Sequence, residues 1–342
     1  MRLFRVIVLL FMLSGASVLA AQDASCPALI EQALAAVQDA CAETGRNQAC
    51  YGNIALEAIP QDGVSTFNFE QQGDLVDIAD LRSLELSSLD EVLGQWGIAL
   101  MKLQANLPES LPGQNVTFLL FGDVEIESAV EPGDESLTPM QAFSFRTGLG
   151  STTCAEAPAD GILIQTPEGA GKVNLRANGV DIELGSTAYL TAQPGQFMTV
   201  SVVEGQGTVT ADGVTVEVPA GMQTSIPLDD DLNADGEPSE PAPYEAAPLE
   251  LLPIEVLPET ISIAAPSPSA PPVTFNPMDP TSIMGISPAV FCPYLDQGLA
   301  EMGMSYDEYL ALIDQFLSMP AMPGVSIEGM QQVRDMIAAC AG

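Results

Sequence analysis

Apolar and polar residues alternate along the middle of the chain, from Gly161 to Leu228, and turn-forming residues interrupt the alternation at regular intervals. This pattern is typical of an all-β domain, because successive side chains of a strand point to opposite faces of its sheet. Within this stretch the segment ANGVDIEL returns 34 residues later as ADGVTVEV. Asn178-Gly179 and Asp212-Gly213 are dipeptides that two-residue hairpin turns favour, since both turn residues need positive φ. The sequence therefore predicts two hairpins with matching polar and apolar faces.

Three segments of this stretch, NGVDIELGSTAYL, MTVSVVEGQGTVTADG and VTVEVPAGMQTSI, resemble the extracytoplasmic β domain of FecR-type periplasmic regulators. The resemblance covers residues 161–228. It implies short stacked strands that form a sensory or interaction module without a catalytic site. FecR sensors also carry a cytoplasmic anti-sigma segment and a membrane span ahead of this domain. We expect neither in this chain, so we do not expect the signalling role to accompany the fold.

The first half of the chain predicts one helix followed by strands. Residues 26–42 have helical periodicity, with Leu29, Ala33, Leu34, Val37 and Ala40 on one face. From 64 to 146 four segments predict strands: VSTFNFE, DLVDIADL, WGIALMKLQANL and NVTFLLFGDVEIE. Together with GRNQACYGN, the last two resemble a module of large secreted bacterial proteins that often precedes a FecR-like module or SH3-type repeats. We expect Trp96 in the core of this part.

The composition changes after residue 228. Residues 229–260 contain ten Asp or Glu and no basic residue, and proline is frequent up to residue 288. Such a segment favours an extended linker, although its apolar groups at 249–252 and 254–257 could dock on the β domain. Residues 289–342 predict three short helices, PYLDQGLAEM, SYDEYLALIDQFLSM and SIEGMQQVRDMIAACA.

These patterns predict a mainly β protein in five parts. They are a signal peptide (1–21), a cysteine-containing helix with a β-sandwich-like module (22–155), a FecR-like β domain of stacked hairpins (156–228), an acidic Pro-rich linker (229–288) and a small disulfide-stapled helical domain (289–342). Arg2, Arg5, the apolar run 6–13 and a cleavage site at Val18-Leu19-Ala20 indicate the signal peptide, with cleavage after Ala20 or Ala21. We therefore expect an extracytoplasmic protein, with no membrane span after cleavage.

The six cysteines of an exported chain favour three disulfides. Cys26 and Cys41 lie about 22 Å apart along one helix, which is too far for a bond between them. We prefer Cys41–Cys50 as a local bridge, which leaves Cys26–Cys154, although the connectivity among these four stays open. Cys292 and Cys340 lie at the two ends of the C-terminal part and predict the third bridge.

The charge balance and the missing histidine exclude several functions. The 342 residues contain 46 Asp plus Glu, nine Lys plus Arg and no histidine. Such an acidic surface repels phosphate backbones, so we expect no nucleic-acid partner. Without histidine, Ser-His-Asp and Cys-His catalytic systems are impossible. Paired carboxylates carry no specificity among so many acids, and we expect a non-catalytic protein without a cofactor.

One segment resembles the first half of a calcium loop. Asp231, Asn233 and Asp235 supply oxygens at positions 1, 3 and 5, and Gly236 follows at position 6. Position 12 is Ala242 instead of a bidentate glutamate. A weak Ca²⁺ site, and with it a calcium-responsive surface protein, is the alternative function.

The leading hypothesis is a secreted binding or structural module. The predicted strands of 161–228 would display a rigid polar face to an extracytoplasmic protein or polysaccharide. This candidate binding face consists of Asp181, Glu183, Thr199, Ser201, Thr215 and Glu217.

Overall fold

The computed structural model describes residues 26–107, 114–130, 136–150 and 154–266, together with eight isolated positions between 305 and 337. The chain divides into two compact units, Met1–Ser267 and Pro268–Gly342. In the second unit, the Nε of Arg334 lies 2.6 Å from the Oδ1 of Asp314. The predicted signal peptide and the Cys292–Cys340 bridge lie outside the described residues, as do the predicted C-terminal helices apart from the isolated positions. The first unit carries the fold described below.

Two sheets form the first unit. The larger sheet has nine strands: β1 (Gln48–Asn53), β3 (Leu75–Asp77), β5 (Ile98–Leu103), β6 (Val116–Phe121), β9 (Gly161–Gln165), β12 (Thr187–Ala192), β13 (Phe197–Glu204), β16 (Met222–Pro227) and β17 (Ala242–Pro243). The smaller sheet has eight: β2 (Leu56–Pro60), β4 (Leu81–Leu86), β7 (Val124–Ser128), β8 (Ala142–Thr147), β10 (Val173–Ala177), β11 (Val180–Leu184), β14 (Gln206–Ala211) and β15 (Val214–Pro219). The helices are α1 (Cys26–Ala40), α2 (Ala246–Leu249) and two 3₁₀ turns, Ile78–Asp80 and Ile254–Val256.

The strand order shows that the chain adds strands to both sheets in the same direction as it advances. The nine-stranded sheet runs β3-β1-β5-β6-β9-β12-β13-β16-β17, and the eight-stranded sheet runs β2-β4-β7-β8-β10-β11-β14-β15. Among the paired strands of the described residues, only β8 and β10 are parallel. Pairing of β6 with β9 and of β8 with β10 carries both sheets across position 155, where the sequence predicted a boundary between two β modules. The mainly β fold is confirmed.

A single apolar core lies between the sheets. Its large, fully buried members include Phe118, Phe143 and Phe145, and the ring centroids of Phe118 and Phe143 lie 5.5 Å apart. Residues 64–70, predicted as a strand, are irregular in the structure. Phe67 and Phe69 nevertheless pack against this core, so the apolar positions were recognised correctly and the secondary structure was not.

Both hairpins of the repeated segment form as predicted. Asn178 and Gly179 have φ of 51° and 79°, and Asp212 and Gly213 have φ of 47° and 76°. Positive φ at both turn residues closes a two-residue turn whose twist matches that of the strands. The first turn joins β10 to β11 and the second joins β14 to β15, both in the eight-stranded sheet.

The outer side of the nine-stranded sheet is covered by α1 and by the segment 244–263. Helix α1 buries Leu29, Ala33, Leu34 and Val37, the face that the sequence predicted. Disulfides join Cys26 to Cys154 and Cys41 to Cys50, with Cα–Cα distances of 5.9 and 5.7 Å. These are the two pairings that the sequence favoured. A second apolar cluster lies between the nine-stranded sheet and this cover of α1 and 244–263. Trp96 is 1% exposed and packs in this cluster, as expected.

The first part of the predicted linker is packed against the sheet instead of extended. Tyr244, Leu249, Leu252, Leu257 and Ile261 are buried in the same cluster as α1. The side chain of Gln165 exchanges two hydrogen bonds with the backbone of Glu259, at 2.9 and 3.0 Å. Apolar side chains pack inward while the acidic ones stay outside, so the segment orders despite its acidity. No helix in the described part of the chain combines the length and apolarity needed to cross a membrane.

Candidate functional site

The six residues of the predicted binding face lie on two different sheets. Asp181 and Glu183 of β11 and Thr215 and Glu217 of β15 occupy the outer side of the eight-stranded sheet. Thr199 and Ser201 of β13 belong to the nine-stranded sheet, where Ser201 is 4% exposed and donates to the Oε1 of Gln223. The prediction of one continuous face is therefore wrong. Alternation shows which residues point away from the core, but the chain changes sheet after each hairpin, and alternation does not record that change.

The four remaining residues belong to a polar surface that we call the open face. It is the outer side of β10, β11, β14 and β15, formed by Asn174, Arg176, Asp181, Glu183, Thr208, Thr210, Thr215 and Glu217. Helices α1 and α2 pack on the opposite sheet, so neither of them covers the open face. The residues that alternate with them along the same strands, such as Ile182 and Val209, are apolar and point into the core.

Cross-strand polar contacts fix most side chains of the open face. The Nε of Arg176 lies 2.7 Å from the Oδ1 of Asp181, and this hydrogen bond, together with the charge of Asp181, raises the pKa of Arg176. The Nζ of Lys172 lies 3.3 Å from the Oε2 of Glu183 and donates to the Oγ1 of Thr208 at 2.9 Å. These contacts are exposed and add little stability, but they orient the side chains.

Glu217 differs from the other acids of the open face. Within the described part of the chain its carboxylate makes no hydrogen bond and no ion pair. It lies on β15, the last strand of the sheet, directly opposite Thr208. An exposed carboxylate at a sheet edge is available to a cationic group of a partner.

A different arrangement occupies the far end of the same sheet. Arg146 of β8 lies among three carboxylates, at 2.7 Å from Glu125, 3.0 Å from Asp123 and 3.9 Å from Glu85. Partial burial lowers the pKa of Arg146, but the hydrogen bonds and charges of Glu125 and Asp123 outweigh burial and raise it overall. Here the acids are already matched to a cation within the chain.

The structure also contains a buried carboxyl group that sequence reasoning missed. Asp160 is 3% exposed and accepts the backbone N–H of Gly150 at 2.9 Å. Burial raises its pKa to about 6, against the opposing effect of backbone hydrogen bonds from Gly150 and Asp123. The hydroxyl of Tyr189 donates to the backbone oxygens of Ala159 and Asp160 at 2.9 and 3.0 Å.

Two glycines make room for the Asp160 carboxylate. A Cβ on Gly122 would lie 1.8 Å from its Oδ1, and a Cβ on Gly148 would lie 2.5 Å from its Oδ2. The carboxylate thus clamps the β6–β7 turn to the loop after β8. The carboxylate is 3% exposed and bonded to backbone N–H groups, so it holds these segments together. Gly122, Gly148 and Asp160 come from different segments of the sequence, so no local motif indicates that they meet.

The predicted calcium loop is organised around a residue that the motif did not include. The Oδ1 of Asp229 accepts the backbone N–H groups of Asp231 and Asn233 at 2.9 and 2.8 Å. The side-chain amide of Asn233 also points at Asp229. These bonds hold the backbone of the loop around Asp229. Calcium binding by Asp231, Asn233 and Asp235 stays a prediction.

Among the described residues, one group of three potential metal ligands has its ligand atoms within 4.8 Å of one another. It consists of Cys26, Cys154 and Glu156. The two cysteines are joined in a disulfide, and disulfide sulfurs are not thiolate ligands. This group is therefore part of the covalent framework.

A cleft of about 870 Å³ opens at one end of the sandwich, between the loop 166–172 and the segment 259–261. The loop crosses from β9 of the nine-stranded sheet to β10 of the eight-stranded sheet. Two of the three carboxylates that line the cleft have donors: Ser186 donates to Glu204 at 2.8 Å, and the backbone N–H of Glu168 donates to Glu259 at 2.9 Å. The cleft has volume, but Glu204 and Glu259 already have donors within the chain.

No protein-family model matches the chain, and no curated protein matches it. Two crystal structures from Parabacteroides distasonis, each of a protein assigned as an anti-sigma factor, are similar in structure. The first has a TM-score of 0.30 and 11% identity over 48% of this chain and 60% of that one. The second has a TM-score of 0.27 and 14% identity over 43% and 61%. The chain thus covers less than two thirds of either neighbour, and likenesses of this size carry no argument about function. The FecR-type resemblance of 161–228 stays a prediction.

Proposed function

We propose that this protein is a non-catalytic extracytoplasmic binding module that presents the open face to a partner protein. The observation that carries the proposal is that the two outer sides of the sandwich differ in what packs on them. One side is covered by α1 and the segment 244–263 and is fixed by two disulfides. On the other side no described helix of the first unit packs on β10, β11, β14 or β15, and these strands bear oriented polar side chains, bordered by Leu137 and Gln141. Rigid scaffolds that display polar groups in this way are suited to binding.

Two further observations support the proposal. Disulfides persist in oxidising compartments outside the cytoplasm, so the two bridges are compatible with an exported protein. The chain has no histidine, and the buried carboxyl group whose pKa rises to about 6, Asp160, is enclosed by the protein. A binding role makes use of the open face without requiring a reaction.

A matched pair of charge-reversal variants tests the proposal. Asp181→Lys with Glu217→Lys alters the open face, and Glu57→Lys with Glu127→Lys alters the other end of the same sheet. Both variants change the net charge equally, and both use side chains on strands of one sheet. Each purified protein is cross-linked in the native extracytoplasmic fraction, and captured proteins are identified by mass spectrometry.

We expect wild type and the Glu57/Glu127 variant to capture the same partner, and the Asp181/Glu217 variant to lose it. Thermal unfolding of all three proteins must first coincide, because a folding defect would imitate a lost contact. Equal capture by both variants would show that the open face is not the binding surface. A wild-type protein that captures nothing would leave a structural role as the better account.

A further inference from the structure

The eight-stranded sheet ends in a strand whose outer edge has no partner in the described chain. β15 pairs with β14 on one side through six residue pairs, from Gln206 opposite Pro219 to Ala211 opposite Val214. It is the last strand of the sheet. No backbone hydrogen bond outside the β14 ladder involves residues 214–219. Open strand edges of this kind are templates for a further strand.

The hairpin geometry determines which backbone groups are free. In a hairpin with a two-residue turn, the residues that flank the turn exchange both backbone hydrogen bonds, and the pattern alternates from there. Val214, Val216 and Val218 therefore bond to β14. The N–H and C=O groups of Thr215 and Glu217 point away from it, toward the open edge.

The internal repeat shows what this edge does when a strand is present. A shift of 34 residues places Thr215 on Asp181, Val216 on Ile182 and Glu217 on Glu183. In the first copy this edge belongs to β11 and is occupied by β14. There Asp181 lies opposite Thr210, Ile182 opposite Val209 and Glu183 opposite Thr208. The edge of β15 has the same sequence pattern and the same turn, but no strand of the described residues occupies the place of β14.

The repeat also indicates the chemistry of the missing strand. Opposite Val216, which is half-buried at the margin of the core, an apolar side chain would extend the core as Val209 does beside Ile182. The equivalent Glu183 lies opposite Thr208, and its charge is met by Lys172, which precedes β10. Glu217 has no cation near it among the described residues, so a basic residue opposite it would fit. The expected segment therefore alternates basic or polar residues with apolar ones.

The chain itself argues against a second copy as the occupant. Its formal net charge is −37, and antiparallel pairing of two β15 edges would bring two Glu217 carboxylates close together. Like charges across adjoining strands are unfavourable. The neighbouring edge of the other sheet is closed differently, by the two-residue strand β17, in which Pro243 lacks an N–H.

We propose that β15 accepts an extended segment of another protein, with basic residues alternating with apolar ones, as a ninth strand of the eight-stranded sheet. This rests on the proposed binding function and specifies the edge and the partner's chemistry. The partner's backbone would bond to Thr215 and Glu217, its apolar side chain would cover Val216, and its cation would meet Glu217.

A peptide probe tests the proposal on the full chain. The peptide QGKVTA copies β14 with lysine at the place of Thr208, and QGEVTA is the charge control. Two further forms of QGKVTA carry N-methyl groups, one on the third and fifth residues, whose N–H groups would face β15, and one on the second and fourth, whose N–H groups would face away. The readout is amide hydrogen exchange of the protein at low ionic strength.

We expect QGKVTA to slow exchange at the amides of Thr215 and Glu217, and QGEVTA to bind less tightly. Methylation on the third and fifth residues should weaken binding by about tenfold or more, since two hydrogen bonds are lost; methylation on the second and fourth should not. Equal effects of the two methylated peptides, or protection elsewhere, would overturn the proposal. Protection that rises with protein concentration alone would identify a second copy as the occupant.

A backbone variant separates this proposal from the binding function. Thr215→Pro removes an N–H that faces the open edge and leaves the ladder to β14 without a missing donor. We expect it to lose the partner captured by wild type. If Thr215→Pro keeps that partner while the Asp181/Glu217 variant loses it, the binding function stands and strand addition fails. If wild type captures nothing but the peptide still protects Thr215 and Glu217, strand addition stands and the proposed binding function fails.

Discussion

Replacing the buried Asp160 by asparagine should change how the stability of the protein depends on pH. Its pKa rises from 3.8 to about 6 in the folded protein, with burial as the largest cause. A shift of this size corresponds to about 3 kcal/mol. Since the folded state binds the proton more tightly than the unfolded state, the contribution of Asp160 to stability is greatest below pH 4. It falls as the pH rises and is lost above about pH 6.

The measurable part of this effect depends on the accessible pH range. The isoelectric point calculated from the sequence is about 4.1, so solubility favours work above pH 5. Between pH 5 and 7.5 the same two pKa values give a loss of about 1.4 kcal/mol. Urea unfolding can be followed by the fluorescence of Trp96, which is 1% exposed and is the single tryptophan of the chain.

The comparison of wild type with Asp160→Asn isolates this one group, because the other acids titrate in both proteins. We expect the free energy of unfolding of wild type, minus that of the variant, to fall by about 1.4 kcal/mol from pH 5 to 7.5. Asp39→Asn, at an exposed position of α1, serves as the control. A wild-type-minus-Asp160→Asn difference that stays constant over this range would refute the assignment of a raised pKa to Asp160.

Two further predictions concern stability. Asn178→Ala should lower the free energy of unfolding by about 2–4 kcal/mol, because the buried Asn178 side chain bonds to both the N–H and the C=O of Phe145, at 2.8 and 3.0 Å. Asp212→Ala, at the equivalent turn position with φ 47°, should cost about 1 kcal/mol; equal losses in chemical denaturation would contradict a special role for the Asn178 side chain. Replacing Cys26 and Cys154 by alanine should cost about 5 kcal/mol, against about 3 for Cys41 and Cys50, since the bridges close loops with sequence separations of 128 and 9. Similar losses in the two double variants would show that chain entropy does not control the difference.

The parts of the fold that the sequence predicts well are those set by local interactions. The turns at Asn178-Gly179 and Asp212-Gly213 need positive φ, and the residue types at both places state this directly. The apolar stripe of α1 and the alternation in β10 and β11 likewise depend on neighbours a few positions apart. The assignment of each strand to a sheet depends on distant partners, which is why Thr199 and Ser201 were placed on the wrong surface.

Asn178 illustrates how one residue can be predictable in one respect and not in another. Its turn conformation follows from the Asn-Gly dipeptide. Its side chain also holds β8 beside β10, through the two bonds to Phe145, 33 positions away in sequence. The parallel pairing of β8 with β10 joins the two predicted β modules. A dipeptide contains no information about that contact.

The segment 244–263 shows why amino-acid composition alone predicted an extended linker where the structure has a packed segment. Average polarity describes how much apolar surface a segment has, whereas packing depends on whether that surface lies on one side. In this segment Tyr244, Leu249, Leu252, Leu257 and Ile261 are all buried against the nine-stranded sheet. Gln165, 94 positions away, then fixes the backbone of Glu259. The acids that suggested a linker, such as Glu250 and Glu255, are exposed on the outer side of the segment, so its polarity and its packing occupy different faces.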